Sequence, residues 1–179
     1  DPLVAGLRDR HQEILESGGY PHRYERSHLA AELHETFADL PAGSETDDRV
    51  TVAGRLMLHR SFGKLQFGTL QDDTGTIQLF VDRSTIGDEK ADAFAHVDLG
   101  DWLGATGTVM TTRKGELSVR TVDYVILQKS LHPLPEKWHG LQDIELRSRR
   151  RYLDLMVNDE ARRVARARAV VVSELRRQF

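Results

Sequence analysis

Cysteine is absent from the 179-residue chain, which excludes a disulfide framework and any thiolate-bound metal. No apolar run comes near the ~20 residues that span a bilayer, and no signal-peptide core opens the sequence, so no membrane contact by this chain is expected. The composition, 39% apolar against 30% charged, is that of a globular protein rather than a disordered or fibrous one, and with no span or signal peptide read in the sequence a cytoplasmic location is expected. The eight histidines include no His-x-x-x-His or comparable ligand spacing, and neither a phosphate-cradling glycine loop nor a nucleophile elbow occurs. Asp72 and Asp73 are adjacent, so their carboxylates diverge and make a poor acid/base pair. No catalytic residue, metal site or cofactor site is expected.

The net charge of −3 conceals an asymmetry. From Arg147 to Phe179, ten arginines face four acids, a local balance of +6, so the first 146 residues carry −9. An acidic body argues against tight, sequence-blind nucleic-acid binding by that part of the chain. Any base reading there is local, with phosphate affinity supplied elsewhere.

Hydrophobic spacing divides the chain into three regions. In residues 1–48, Leu3, Val4, Leu7, Ile14 and Leu15 recur at helical spacing up to a Gly18-Gly19 stop. A short helical candidate from Ser27 to Phe37 and a polar linker follow. In residues 49–130 the period changes to two: Val50 to Leu58, Leu65 to Leu70, Thr76 to Val81, Leu103 to Val109 and Leu117 to Leu127 read as five strands. Asp73-Thr74-Gly75 and Arg113-Lys114-Gly115 read as hairpin loops whose glycines are free to take positive φ. Between the third and fourth strands, Thr85 to His96 carries an Ala91, Phe94, Ala95 pattern suited to a helix that plugs a barrel end. The fold class is therefore mainly β with flanking helices: a five-stranded OB-fold barrel, which binds oligonucleotides or sugars across its second and third strands. Residues 131–179 open on His132-Pro133-Leu134-Pro135 and continue as two helical candidates, Leu141 to Leu155 and Asp159 to Gln178. The last runs to Phe179 with no stop signal, so the chain is expected to be part of something longer.

Single-stranded RNA is read by stacking splayed bases on aromatic rings and hydrogen-bonding their pairing edges. Gln78 lies between Ile77 and Leu79, and alternation turns it to the outer, groove-forming face. Phe67 shares a strand face with Leu65 while Leu70 takes the other, so the pattern fits a core phenylalanine as well as a stacking platform. Arg60, at the expected end of the first strand, suits either a solvated charge or a contact to base or phosphate. Glu116, just past the last hairpin, suits either a surface position or an acceptor for a base N–H.

Further blocks carry a resemblance. Val52-Ala53-Gly54-Arg55, Gly63-Lys64, Phe67 with Thr69-Leu70-Gln71-Asp72, and Ile77-Gln78-Leu79-Phe80 are followed by Asp98-Leu99-Gly100-Asp101 and Gly115-Glu116-Leu117-Ser118-Val119. Leu134-Pro135-Glu136-Lys137 with His139-Gly140-Leu141, and Arg151-Tyr152-Leu153-Asp154-Leu155, complete the series. In this order they resemble the N-terminal part of class II lysyl-tRNA synthetase, over almost the whole chain. The resemblance implies that the barrel binds the anticodon loop of lysine tRNA, with Phe67 stacked on the central base, Gln78 and Arg60 hydrogen-bonded to bases, and Glu116 near the wobble base. Arg8, Arg10, Lys64, Arg113 and Lys114 are the cations expected at the tRNA backbone. The resemblance further implies a parent enzyme that uses ATP and Mg and is a homodimer, with its catalytic domain beginning in residues 131–179. Residues 159–179 resemble the interface helix of the first class II signature. Arg147-Ser148-Arg149-Arg150-Arg151, Ala165 and His132 depart from the family pattern near the start of the catalytic domain. Such drift also suits a synthetase-like module fused to a lysylphosphatidylglycerol synthase, and the barrel alone suits a free-standing single-stranded nucleic-acid binder.

Overall fold

A computed structural model of the chain describes residues 2–135, 141 and 143–179. Two compact units divide it, Asp1–Pro133 and Leu134–Phe179. The first holds helices α1 (Pro2–Glu16) and α2 (Ala30–Thr36), then β1 (Glu45–Phe62), β2 (Leu65–Gln71), β3 (Thr76–Asp82), α3 (Arg83–Ile86), α4 (Asp88–Ala95), β4 (Trp102–Thr111) and β5 (Leu117–Gln128). The strands close a barrel in the order β1-β2-β3-β5-β4, with β1 returning to β4. Every pairing is antiparallel except β3 with β5, where Gln78, Leu79 and Phe80 face Ser118, Val119 and Arg120.

β1 is longer than its apolar alternation suggested. Residues 45–48, read from sequence as linker, are strand: Glu45 pairs with Met110, and the Thr46 hydroxyl donates to the Val109 carbonyl at 3.0 Å. Midway, a bulge at Met57 shifts the register, so that Leu56 faces Leu70 but Leu58 faces Thr69. An extra residue reverses which side chains point inward. Val50, Val52 and Leu56 are in the core, whereas Leu58, Arg60 and Phe62 turn outward.

The barrel is filled from both strands and helices. Leu56, Leu70, Leu79, Val81, Leu103, Ala105, Val109 and Val119 form its buried centre, joined by Ala30 and Leu33 of α2 and by Ala91 and Phe94 of α4. The segment expected as one helix from Thr85 to His96 is two, α3 and α4, broken at Gly87, whose φ of +90° is left-handed. Phe94 is fully buried over Gly68, where an added Cβ would lie 3.2 Å from the Phe94 ring. Beside it the buried Gln66 amide donates to the Ala91 carbonyl at 2.6 Å, which ties α4 to β2. Of the two hairpin glycines, Gly115 takes positive φ, at +85°, and Gly75 does not.

The Gly75 turn is instead built by Asp72. Its Oδ1 accepts from the Thr74 amide and hydroxyl, both at 2.7 Å, and from the Gly75 amide at 2.9 Å. Its Oδ2 accepts from the Ala30 amide at 2.8 Å. α2 begins after Leu29, which has no side-chain oxygen to cap it, so the β2–β3 turn serves as its N-cap. Burial pushes the Asp72 carboxyl up, but these donors outweigh it and hold its pKa below the ordinary value.

A second ionic knot ties α1 and the end of β5 to the segment before β4. Lys129, 2% exposed at its side chain, meets Asp98 and Asp101, and Arg10 of α1 grips Asp98 through two bonds of 2.8 Å. The Asp101 carboxylate also accepts from the Ser130 and Asp98 amides.

The second unit contains α5 (Ile144–Arg149), α6 (Arg151–Val157) and α7 (Asp159–Gln178). The single helix expected from Leu141 to Leu155 is thus broken at Arg150. Asp154 is buried and accepts from Arg147, Arg151 and Asn158, which joins the three helices. The Glu136 to Gly140 part of the family-like block lies outside the described residues.

Removing the Asp72 carboxylate leaves several amides without their acceptor, and Asp72→Ala is expected to destabilise the chain by about 1–3 kcal/mol in urea unfolding at neutral pH. Because the folded-state pKa of Asp72 is depressed, its stabilisation is complete above the unfolded carboxylate pKa and is lost as pH falls through the folded value. The gap between wild type and variant therefore narrows on acidification through that window; a gap independent of pH would contradict this role.

Candidate nucleic-acid interface

The outward faces of β1, β2 and β3 and the β4–β5 hairpin enclose a groove of about 850 Å³. Its walls follow from register. Arg60 faces Phe67 across β1 and β2, Phe67 faces Phe80 across β2 and β3, and Thr69 faces Gln78. These side chains point away from the core because their neighbours Gln66, Gly68, Leu70, Ile77, Leu79 and Val81 are turned inward. The barrel thus settles the orientation that pattern left open for Phe67: it lies on the groove side.

The groove brings together Arg60, Phe67, Gln78, Arg113, Lys114 and Glu116. Arg60 lies within β1, which runs on to Phe62, and not at the strand's end. The side chains of Arg60 and Glu116 make no hydrogen bond or ion pair among the described residues, and both are exposed to the groove. Gln78 is held: its Nε2 donates to the Ser118 hydroxyl at 2.8 Å, and that hydroxyl donates to the Glu116 carbonyl at 3.1 Å. Two further aromatics belong to the site. Phe62 meets Phe67 edge-to-face at 6.1 Å between ring centroids, and Phe67 meets Phe80 in the same manner at 5.4 Å. Alternation from Gln78 reaches Phe80, and alternation from Arg60 reaches Phe62, once β1 is known to extend that far.

Charge in the groove differs in sign from the acidic segment around it. Arg60, Arg113 and Lys114 face a single unpaired acid, Glu116, because both oxygens of Glu45 are bound by Arg120 at 2.6 Å. The remaining expected backbone contacts do not line the groove. Lys64 sits in the β1–β2 turn, exposed. Arg10 is pinned to Asp98 near the start of β4, about 30 Å from the β4–β5 hairpin for a ten-residue strand. Arg8 is exposed on the same helix. Chemically, the groove offers flat apolar surfaces, one oriented amide, a free guanidinium and a free carboxylate, with cations at the rim. Flat rings stack bases and the polar groups bond their edges. No group of three or more His, Asp or Glu side chains able to hold a metal occurs among the described residues.

A closed five-stranded barrel of this strand order is an OB-fold, and residues 50–127 match the family described as OB-fold nucleic acid binding domain, of the tRNA anticodon type. The similarity extends beyond the barrel to lysine–tRNA ligases. The chain is 50% identical over 171 residues to that of Trichormus variabilis, covering 91% of this chain and 30% of the ligase. With the Nostoc punctiforme ligase it shares 52% over 171 residues, covering 91% and 30%. With that of Thermosynechococcus vestitus it shares 53% over 163 residues, covering 88% and 32%. The chain therefore spans about a third of the length of the curated relatives it matches.

Exposed side chains that hold nothing in place are replaceable with little loss of stability. Arg60→Ala and Glu116→Ala are each expected to change the unfolding free energy by less than about 0.5 kcal/mol. Gln78→Ala, which breaks the bond to buried Ser118, costs about 1 kcal/mol. Urea titration of the three variants checks the ranking; a large loss for Arg60→Ala would show a structural role.

Proposed function

We propose that the chain is the tRNA-recognition region of a lysine–tRNA ligase and that its groove reads the anticodon loop of lysine tRNA. The observation that carries this is the convergence of Arg60, Phe67, Gln78 and Glu116 on one groove of a barrel of the tRNA anticodon type. The ligases similar to this chain supply the amino acid and the class of RNA. Phe67 stacks on the central, uridine-type base; Gln78 and Arg60 bond base edges; Glu116 accepts from the wobble base. Arg113 and Lys114 hold the loop phosphates, with Lys64, Arg8 and Arg10 toward the stem.

In the whole ligase, lysine is activated with ATP and Mg and transferred to tRNA. No step of that chemistry is assigned to the residues described. The exposed Val164, Val171 and Leu175 of α7 are proposed as part of a homodimer contact. No helix among the described residues is long and apolar enough to cross a membrane, and a cytoplasmic location is the reading that suits a tRNA ligase.

Binding of RNA hairpins at stated salt tests this function. A uridine-rich lysine anticodon loop is expected to bind more tightly than one with its central base changed, and Phe67→Ala to weaken binding by about 1–3 kcal/mol. Equal affinity for the two loops would refute the reading. Replacing both Arg113 and Lys114 by Ala should reduce the slope of log affinity against log salt by about 1.4, two contacts at roughly 0.7 each for a single strand. An unchanged slope would remove these cations from the interface.

A further inference from the structure

The hydrogen bonds behind Gln78 set which side of its carboxamide is held against the barrel wall. Ser118 is fully buried and stands opposite Gln78 in the parallel β3–β5 register. Its hydroxyl has one proton, and the Glu116 carbonyl, which can only accept, takes it at 3.1 Å. The same oxygen then accepts from Gln78 Nε2 at 2.8 Å. Turning the carboxamide over would set Oε1 against a hydroxyl whose proton is already committed, with the loss of one hydrogen bond. Oε1 has no partner among the described residues, and no buried side-chain polar atom lacks one, so Oε1 is open to the groove.

We infer that Ser118 is a positioning residue that fixes Gln78 as an acceptor toward the groove, and thereby selects a base with an imide N–H on its pairing edge, as in uracil, over one with a bare ring nitrogen there, as in cytosine. The inference rests on the groove being the anticodon-reading site and goes further, since it names the atom that discriminates and the buried hydroxyl that aims it. Ser118 touches no base. Its effect is on selectivity.

The experiment measures the affinity of the full chain, by fluorescence anisotropy, for hairpins carrying uridine or cytidine at each loop position in turn. At the position Gln78 reads, wild type is expected to prefer uridine roughly tenfold. In Ser118→Ala the carboxamide is free to turn over, and the ratio is expected to fall below about threefold, toward that of Gln78→Ala. A Ser118→Ala ratio equal to wild type overturns the role of Ser118 while leaving the anticodon reading intact. A wild type with no base preference at any position overturns both. Should Ser118→Ala fail to fold, as seen in its thermal melt, Gln78→Glu decides. A carboxylate only accepts, so a retained preference for uridine supports the acceptor assignment, and a lost or reversed one overturns it.

Discussion

The short parallel pairing of β3 with β5 is the constraint on which the molecule depends. It is formed by three residue pairs, Gln78 with Ser118, Leu79 with Val119 and Phe80 with Arg120. Without it the sheet would be an open ribbon with two free edges. A parallel pair cannot be joined by a tight turn, so the chain must cross over between the two strands. That crossover contains α4, whose Phe94 fills the barrel over Gly68. The same three pairs carry the β4–β5 hairpin alongside β3, bringing Arg113, Lys114 and Glu116 to Phe67 and Gln78. Closure, core filling and site assembly are thus one event.

The acidity of this part of the chain and its proposed RNA ligand are compatible because several of the carboxylates are engaged within the fold and few line the groove. Asp72 builds a turn and caps α2; Asp98 and Asp101 enclose Lys129; Asp82 caps α3; Asp123 meets Lys90. Glu45, the other acid lining the groove besides Glu116, is bound to Arg120. Exposed charges are screened over about 8 Å at physiological salt, so remote acids are felt weakly in the groove while Arg60, Arg113 and Lys114 act at contact range. What reaches an RNA loop is the local balance rather than the net charge.

Much of this was legible in the sequence where one strand face is apolar and the other polar. Gln78 between Ile77 and Leu79 is the clear case, and the five strands follow from the same signal. Phe67 was ambiguous for a physical reason: the inward positions beside it are Gln66 and Gly68, because a side chain from α4, remote in sequence, occupies the space a strand residue would otherwise fill. Alternation cannot register a core filled from elsewhere. The bulge at Met57 likewise left no mark, since Leu56, Met57 and Leu58 are all apolar, yet it sets the face taken by Arg60 and Phe62. Glycine flexibility does not make the β2–β3 turn; the three bonds that Asp72 accepts from Thr74 and Gly75 do. The breaks at Gly87 and Arg150 fell within stretches whose helical spacing continues across them.

Amide NMR of the chain, titrated with a uridine-rich lysine anticodon hairpin, addresses the proposed function at the level of individual residues. The account predicts saturable shifts concentrated at residues 58–69, 76–80 and 110–118, the two strand faces and the hairpin that closure brings together. Shifts confined to α1 or α7, with the groove residues unmoved, would contradict it.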